Sequence, residues 1–184
     1  MKKLFICLLA LLVLVGCHRK EVVYDQAEGE AADMNWYGIS NDNFRYCDIT
    51  IFQQLVAEGK TTIVYLGYEN CPWCRELCPV LDEFLTEYQF RAYYYDIELA
   101  DHGTAENLQI IEDTVKDLLE TDSEGKPILY APTIIYLQNG KPIVLHEGTV
   151  NSHNARERKM TEREMERLRF NLRKEFEKLM DRYE

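Results

Sequence analysis

The spacing of hydrophobic residues along the chain changes repeatedly between a helical period of about 3.6 residues and short apolar runs typical of buried strands. The helical spacing predicts helices over residues 48–58, 72–88, 104–120 and from 161 to the C-terminus. The apolar runs predict strands over residues 62–67, 91–97, 132–137 and 141–147. This alternation indicates an α/β domain with a small mixed β-sheet and helices on both faces.

Local signals define the connections in the C-terminal half. Asn139 and Gly140 lie between the last two predicted strands, and this dipeptide is a strong hairpin signal, so those strands are expected to be antiparallel neighbours. Thr161 followed by Glu164 forms a capping box that begins the long C-terminal helix. Because that helix carries charges of both signs, we interpret them as a solvated face and not as a binding patch.

The first sixteen residues have the pattern of an export signal. Lys2 and Lys3 precede an apolar run over residues 4–15, which is shorter than the ~20 residues that span a bilayer. Gly16 and Cys17 follow this run and resemble the lipobox of bacterial lipoproteins. The resemblance implies cleavage before Cys17 and lipidation of that residue, palmitate included. A plain secretory signal or an N-terminal anchor helix is the alternative.

The next segment, residues 17–45, is polar and acidic and has no apolar period. We therefore predict a tether that holds the domain at the extracytoplasmic face of a bacterial membrane. Trp36 and Tyr37 are the exception, since they offer a local dock onto the domain. The predicted organisation is a signal peptide over 1–16, a tether over 17–45 and one domain over 46–184.

Composition and charge narrow the class of partner. The chain has 184 residues, of which 46% are hydrophobic, and a formal net charge of −11. No basic block occurs before the C-terminal helix, so nucleic acid is not an expected partner. The glycines form no phosphate loop, and His102, His146 and His153 are too scattered to indicate a nucleophile–histidine pair.

The strongest chemical signal is the motif Cys71-Pro72-Trp73-Cys74, where a helix begins directly after a buried strand. The positive end of a helix stabilises a thiolate, so Cys71 is the predicted nucleophile and Cys74 the resolving thiol. Pro72 suits the first helical turn, and Trp73 presents an apolar surface to a substrate. No cofactor is expected, because the two sulfur atoms hold the electrons.

With a second element, Ala131-Pro132-Thr133 before the predicted hairpin, the motif resembles the thioredoxin superfamily over residues 48–184. The resemblance implies a thioredoxin fold, a cis peptide bond before Pro132, Pro132 as a wall of the substrate groove, and Ala131 as the residue whose backbone binds the substrate peptide. A Tyr-Leu-Gly strand before the cysteines is similar to thioredoxin-like proteins labelled bacteriocin transport accessory proteins.

The activity that this resemblance implies is thiol–disulfide exchange with exported proteins or peptides. A membrane or extracellular redox partner would supply or accept the electrons. The alternative function is a non-catalytic binding or accessory module for peptide export. The Pro-Trp dipeptide leaves the direction of the redox reaction open.

One departure from the family concerns proton transfer. The family carries an acid six residues before its first cysteine, where this chain has Tyr65. Glu69 is the nearest acid in the sequence, and it is interpreted either as a proton relay acting through water or as an ordinary loop acid.

Two further thiols, Cys47 and Cys78, are interpreted as small buried side chains. Three alternatives stay open: Cys78 as a third redox thiol, a disulfide between Cys47 and Cys78, and a zinc site of four cysteines. No metal site is predicted, because three ligands on one helix make a poor tetrahedron.

Overall fold

The computed structural model describes residues 24–180. The predicted signal peptide and the predicted lipidation site at Cys17 lie outside these residues. Within residues 24–180, no helix has the length and apolar character needed to cross a membrane.

Nine principal elements follow one another along the described chain. They are β1 (Phe44–Tyr46), α1 (Ile49–Ala57), β2 (Thr62–Gly67), α2 (Pro72–Glu87), β3 (Ala92–Asp96), α3 (Ala105–Val115), β4 (Thr133–Gln138), β5 (Lys141–Glu147) and α4 (Glu162–Leu179). Single 3-10 turns lie at Asn35–Tyr37 and Lys116–Leu118. Side chains of Asp48, Thr104 and Thr161 cap α1, α3 and α4 by accepting a backbone N–H of the first turn.

The five strands form one mixed sheet in the order β1-β3-β2-β4-β5. The first three strands are parallel, and β4 runs antiparallel to both β2 and β5. Central β2 is buried along its whole length, as its apolar sequence predicts. This strand order, with helices on both faces and a long C-terminal helix, is the thioredoxin fold, so the predicted fold class is confirmed.

Side chains of successive strand residues point to opposite faces and so build two cores. Tyr65, Tyr94 and Tyr136 face α2 and α4, whereas Val64, Leu66 and Tyr95 face α1 and α3. On the outer side of the first layer, α4 pairs its arginines with glutamates of α2, Arg169 with Glu83 and Arg173 with Glu87, both at 2.8 Å. Part of the charge on α4 therefore joins the two helices, and Glu164 and Glu175 bind Arg158 and His146, so the prediction of a simply solvated face is wrong for these residues.

The described part of the predicted tether, residues 24–45, is folded onto the domain, which corrects the expectation of a free linker. Met34, Tyr37 and Phe44 are buried in the core beneath α2, and β1 adds a parallel edge strand beside β3. The Asp25 N–H donates to the carbonyl of Thr61 at 2.8 Å. Hydrophobic periodicity misses this segment because its buried residues are isolated within irregular chain. The docking alternative for Trp36 and Tyr37 is the one the structure supports.

The third helix is shorter than its predicted range of 104–120. It ends at Val115, and a 3-10 turn over Lys116–Leu118 follows. Leu118 continues the apolar spacing but is 40% exposed, so the last predicted turn has no core to pack against. The hairpin expectation is confirmed, since Asn139 and Gly140 both have positive φ between the antiparallel β4 and β5.

Candidate active site

The Cys71 sulfur caps the N-terminus of α2. Strand β2 ends at Gly67, a short turn follows, and α2 begins at Pro72. In extended backbone geometry, Cys71 places its Sγ so that it accepts the backbone N–H of Cys74 at 3.1 Å. The sulfur thus occupies the place that a serine or aspartate oxygen takes in an ordinary N-cap, at the positive end of the helix.

The loop before β4 lies against this sulfur. The Ala131–Pro132 peptide bond is cis, as the family resemblance implies. The Cys71 thiol donates to the carbonyl oxygen of Ala131 at a sulfur–oxygen distance of 3.8 Å. Thr133 holds the loop by donating its hydroxyl to the Tyr130 carbonyl at 2.7 Å. Two segments sixty residues apart therefore meet at one atom, while the role of Pro132 as a groove wall stays a prediction.

The two thiols of the motif ionise unequally. Hydrogen bonding from the Cys74 thiol lowers the pKa of Cys71, and the backbone N–H groups of Cys74 and Trp73 add to this effect against the opposing effect of burial. Burial raises the pKa of Cys74 well above its usual range, and the neighbouring Cys71 raises it further. Cys71 is therefore the thiol that loses its proton first, while Cys74 keeps its own.

A cavity of about 540 Å³ lies beside the proline loop, and its lining does not include Cys71. Its lining includes Tyr68, Trp73, Tyr130, Ala131, Glu147 and Arg156. Cys71 itself is only 1% exposed, so an incoming disulfide must part the side chains that cover the sulfur. Tyr130 is the most exposed aromatic residue of this lining and offers an apolar contact at the rim.

Trp73, the predicted substrate contact, forms one wall of this cavity. The guanidinium carbon of Arg156 lies 5.5 Å from the centre of its indole ring, within cation–π range. Arg156 belongs to the connection between β5 and α4, and nothing in its sequence neighbourhood indicates a place at this site. Its convergence with Trp73 is a product of tertiary packing.

Glu69 is exposed in the turn between β2 and α2. Its backbone carbonyl accepts a hydrogen bond from Nε of Arg75 at 3.2 Å. Within residues 24–180, no hydrogen bond joins the Glu69 carboxylate to Cys71 or Cys74. The interpretation as a loop acid fits this placement, and the proton relay stays a prediction.

The other two thiols lie on opposite faces of the sheet. Cys78 is buried beneath α2 and α4, and Cys47 is buried in the core beneath α1 and α3. Burial raises the pKa of both. Because the sheet separates them, the Cys47–Cys78 disulfide and the four-cysteine zinc site are both excluded. Small buried side chains are the interpretation that this geometry supports.

A cluster of three tyrosines beneath the motif was not expected to bear on the site. Tyr65 stacks on Tyr94 with ring centres 5.8 Å apart, and Tyr37 meets Tyr65 edge-on at 6.3 Å. The Tyr37 hydroxyl donates to the carbonyl of Tyr68 in the turn before the motif at 2.8 Å. The sequence gives one indication of this cluster, which is Tyr65 at the position where the thioredoxin superfamily carries an acid.

No family model matches the sequence. Among solved structures, the chain is similar to a protein with a thioredoxin fold at 18% identity, covering 63% of this chain and 88% of that one, with a TM-score of 0.45. It is similar to thioredoxin O2 from Arabidopsis thaliana in the oxidized state at 15% identity, 62% and 87% coverage, and a TM-score of 0.41. It is similar to Chlamydomonas reinhardtii thioredoxin f2 at 14% identity, covering 59% of this chain and 87% of that one, with a TM-score of 0.41. The fold assignment rests on the strand order described above.

Proposed function

We propose that the protein is an extracytoplasmic, lipid-anchored thiol–disulfide oxidoreductase that exchanges disulfides with exported proteins or peptides. The observation that carries the proposal is the place of one atom. The Cys71 Sγ caps α2, 3.1 Å from the Cys74 nitrogen, and lies 3.8 Å from the Ala131 oxygen beside the cis proline. A structural thiol needs neither the helix terminus nor the adjoining cavity.

In the reducing direction, the Cys71 thiolate attacks one sulfur of the substrate disulfide and forms a mixed disulfide, releasing the other substrate sulfur as a thiolate. Cys74 then loses its proton and attacks Cys71, which releases the second substrate thiolate. The substrate is reduced, and Cys71 and Cys74 become a disulfide. The oxidising direction is the reverse. Trp73 and the Ala131 backbone would contact the substrate, with Pro132 as the groove wall.

The membrane setting is supported by the lipobox pattern that ends at Cys17. We expect palmitate to label the wild-type chain in a bacterial host and the Cys17→Ala variant to lose both the label and its place in the membrane fraction. Retention of the label by the variant would contradict lipidation at Cys17. Release of an unlabelled wild-type chain would identify a plain secretory signal. The redox partner would then be a membrane or extracellular protein.

Insulin reduction tests the chemistry. We expect the full chain in detergent to accelerate reduction of insulin disulfides by dithiothreitol, and Cys71→Ala to abolish the acceleration, because no other thiol occupies the helix cap. The matched control is Cys47→Ala, which removes a thiol from the opposite face of the sheet and should leave the rate unchanged. Equal rates for wild type and Cys71→Ala would refute the proposal.

The non-catalytic binding or accessory module remains a second candidate because Cys71 is only 1% exposed. That function would use the cavity beside Trp73 to hold an exported peptide without forming a covalent bond. A Cys74→Ala variant separates the two functions, since it lacks the resolving thiol. It should accumulate mixed disulfides with exported proteins if the protein is an oxidoreductase, and none if it only binds.

A further inference from the structure

The hydroxyl group of Tyr65 is buried and unsatisfied. Tyr65 is 0% exposed, and within residues 24–180 its hydroxyl has no hydrogen-bond partner of good geometry. Leaving such a group without a partner is unfavourable, and phenylalanine would fill the same space without that penalty. Within residues 24–180 the hydroxyls of Tyr94 and Tyr136 are also buried without a partner, so it is the position of the Tyr65 hydroxyl that distinguishes it.

The position of the hydroxyl connects it with the cysteine motif. A Cβ atom at Gly67 would lie 2.7 Å from the Tyr65 hydroxyl oxygen, so the side chain reaches along β2 toward the strand end that leads into α2. Glycine at position 67 leaves the space that this reach requires. Stacking on Tyr94 and the edge contact with Tyr37 hold the ring in place.

Two thiols of α2, Cys74 and Cys78, lie in the same core cluster as Tyr65, and both are within hydrogen-bonding reach of its hydroxyl. Burial raises the pKa of both, and the Tyr65 hydroxyl opposes the rise at both. Only Cys74 must ionise in the proposed reaction, because it attacks the mixed disulfide formed at Cys71.

We propose that Tyr65 is the hydrogen-bond donor that stabilises the Cys74 thiolate while the mixed disulfide is resolved. This inference rests on the proposed function. In the step itself, the Cys74 thiol gives its proton to solvent and accepts the Tyr65 O–H, and its sulfur attacks the Cys71 sulfur. The Cys71–substrate bond breaks, the substrate leaves as a thiolate, and the Cys71–Cys74 bond forms. In the oxidising direction the same donor stabilises Cys74 as the leaving thiolate.

The other titratable groups around Cys74 do not replace Tyr65. Tyr37, from the 3-10 turn, already donates its hydroxyl to the Tyr68 carbonyl. The groups that raise the pKa of Tyr94 on β3 include Tyr37 and Asp96, the carboxylate that ends that strand. Cys71 and Cys78 lie in the same core cluster as Cys74, and Tyr68 approaches it from the turn before α2. Burial raises the pKa of Cys78, and the charge of Asp82 raises it further. Burial raises the pKa of Tyr65, so it stays protonated and remains a donor across the working range.

A two-phase reaction with dithiobis-nitrobenzoate tests the inference on the full chain in detergent. Attack by Cys71 releases the first coloured thiolate, and attack by Cys74 on the resulting mixed disulfide releases the second. In Tyr65→Phe we expect an unchanged first phase and a second phase slowed by about tenfold, the effect of one lost hydrogen bond to a charged group. The pH midpoint of the second phase should rise by about one unit.

The matched control is Tyr136→Phe. Tyr136 is equally buried on the same face of the sheet, and its hydroxyl is likewise unpartnered within residues 24–180, but it faces Glu175 on α4 and not the cysteines. We expect both variants to melt at or above the wild-type temperature and only Tyr65→Phe to slow the second phase. An unchanged second phase in Tyr65→Phe, or equal slowing in both variants, would overturn the inference. Loss of the first phase in wild type would instead refute the proposed function.

Discussion

Cys71 and Cys74 carry the same side chain three residues apart, yet their pKa values move in opposite directions. The Cys71 sulfur receives hydrogen bonds at the open end of α2, whereas Cys74 is fully enclosed one turn later and lies beside Cys71. Hydrogen bonds from the Cys74 thiol and from backbone N–H groups at the cap lower the pKa of Cys71, whereas burial raises the pKa of Cys74. The proposed division into nucleophile and resolving thiol therefore follows from one helical turn.

The pH dependence of alkylation tests this division at the level of single residues. We expect the iodoacetamide reaction of Cys71 to have a midpoint below the ordinary thiol value of about 8.5. Because the Cys74 thiol is the largest contribution that lowers the pKa of Cys71, Cys74→Ala should raise that midpoint. Cys78→Ala is the control and should leave it unchanged. A midpoint above the ordinary value in wild type would contradict the assignment.

The motif residues could be identified from sequence because their signal is local, whereas much of the cavity could not. Cys71, Trp73 and Cys74 lie within four positions after an apolar strand, and the family resemblance added Ala131 and Pro132. Arg156 and Glu147 reach the same cavity from loops and strand ends far along the chain. No local pattern marks such residues, because their approach depends on how whole elements pack.

At the scale of elements, the start of α4 is held by one carboxylate. Glu164 accepts both terminal nitrogens of Arg158, the hydroxyl of Ser152, and both the N–H and hydroxyl of Thr161, at 2.6 to 2.8 Å. These bonds join the β5–α4 connection to the first turn of the helix. The same connection carries Arg156 to Trp73, so the carboxylate also supports the wall of the cavity.

The stability contributed by Glu164 should depend on pH in one direction. Hydrogen bonds from Arg158 and Thr161 hold the pKa of this carboxyl well below its usual range. A depressed pKa in the folded state gives stability that is present above the unfolded value of about 4.3 and is lost as the pH falls further. We expect Glu164→Gln to melt at a lower temperature than wild type at pH 7, with a gap that narrows at pH 3.

Thermal melting at the two pH values provides the measurement. Glu166→Gln serves as the control, since Glu166 is exposed on the same helix. A gap for Glu164→Gln that is as large at pH 3 as at pH 7 would show that lost packing, and not lost charge, causes the destabilisation.

Element bounds could be predicted where apolar residues repeat with a regular period. The predicted ranges of β2 and β5 coincide with the observed ones, and the bounds of α1 and α2 agree to within one residue. Strand β1 was missed, because three residues at a sheet edge are too few to show a period. The end of α3 was placed too late, since Leu118 continues the pattern without being buried.

On the scale of the whole molecule, the domain begins before the boundary that composition indicates. Residues 24–45 contribute buried side chains to the core that supports the cysteine motif, among them Met34, Tyr37 and Phe44. An acidic composition describes the exposed residues of this segment and hides the few that are buried. Buried area, and not charge, decides where the folded unit starts.

Substitution of Phe44 tests this boundary. Phe44 is 1% exposed in the core beneath α2, so we expect Phe44→Ala to lower the free energy of unfolding by about 3–5 kcal/mol. The matched control, Phe170→Ala, removes a phenyl ring that is 55% exposed on α4 and should change stability far less. Urea unfolding of both variants gives the comparison. Equal free energies of unfolding for wild type and Phe44→Ala would contradict a folded role for residues 24–45 and favour the tether.

The packing of residues 24–45 on the domain also shortens the connection between Cys17 and the folded domain. With this segment committed to the domain, only residues 18–23 separate Cys17 from the first described residue. Seven steps of fully extended chain reach about 25 Å, less than the width of a bilayer with its headgroups. If acyl chains are attached at Cys17, the domain is held close to the lipid by the end of the sheet where β2 begins, since Asp25 binds Thr61 there. The cavity, lined by Tyr68 and Trp73 after the other end of β2, then lies one strand length farther from the anchored residue and opens away from that end of the sheet.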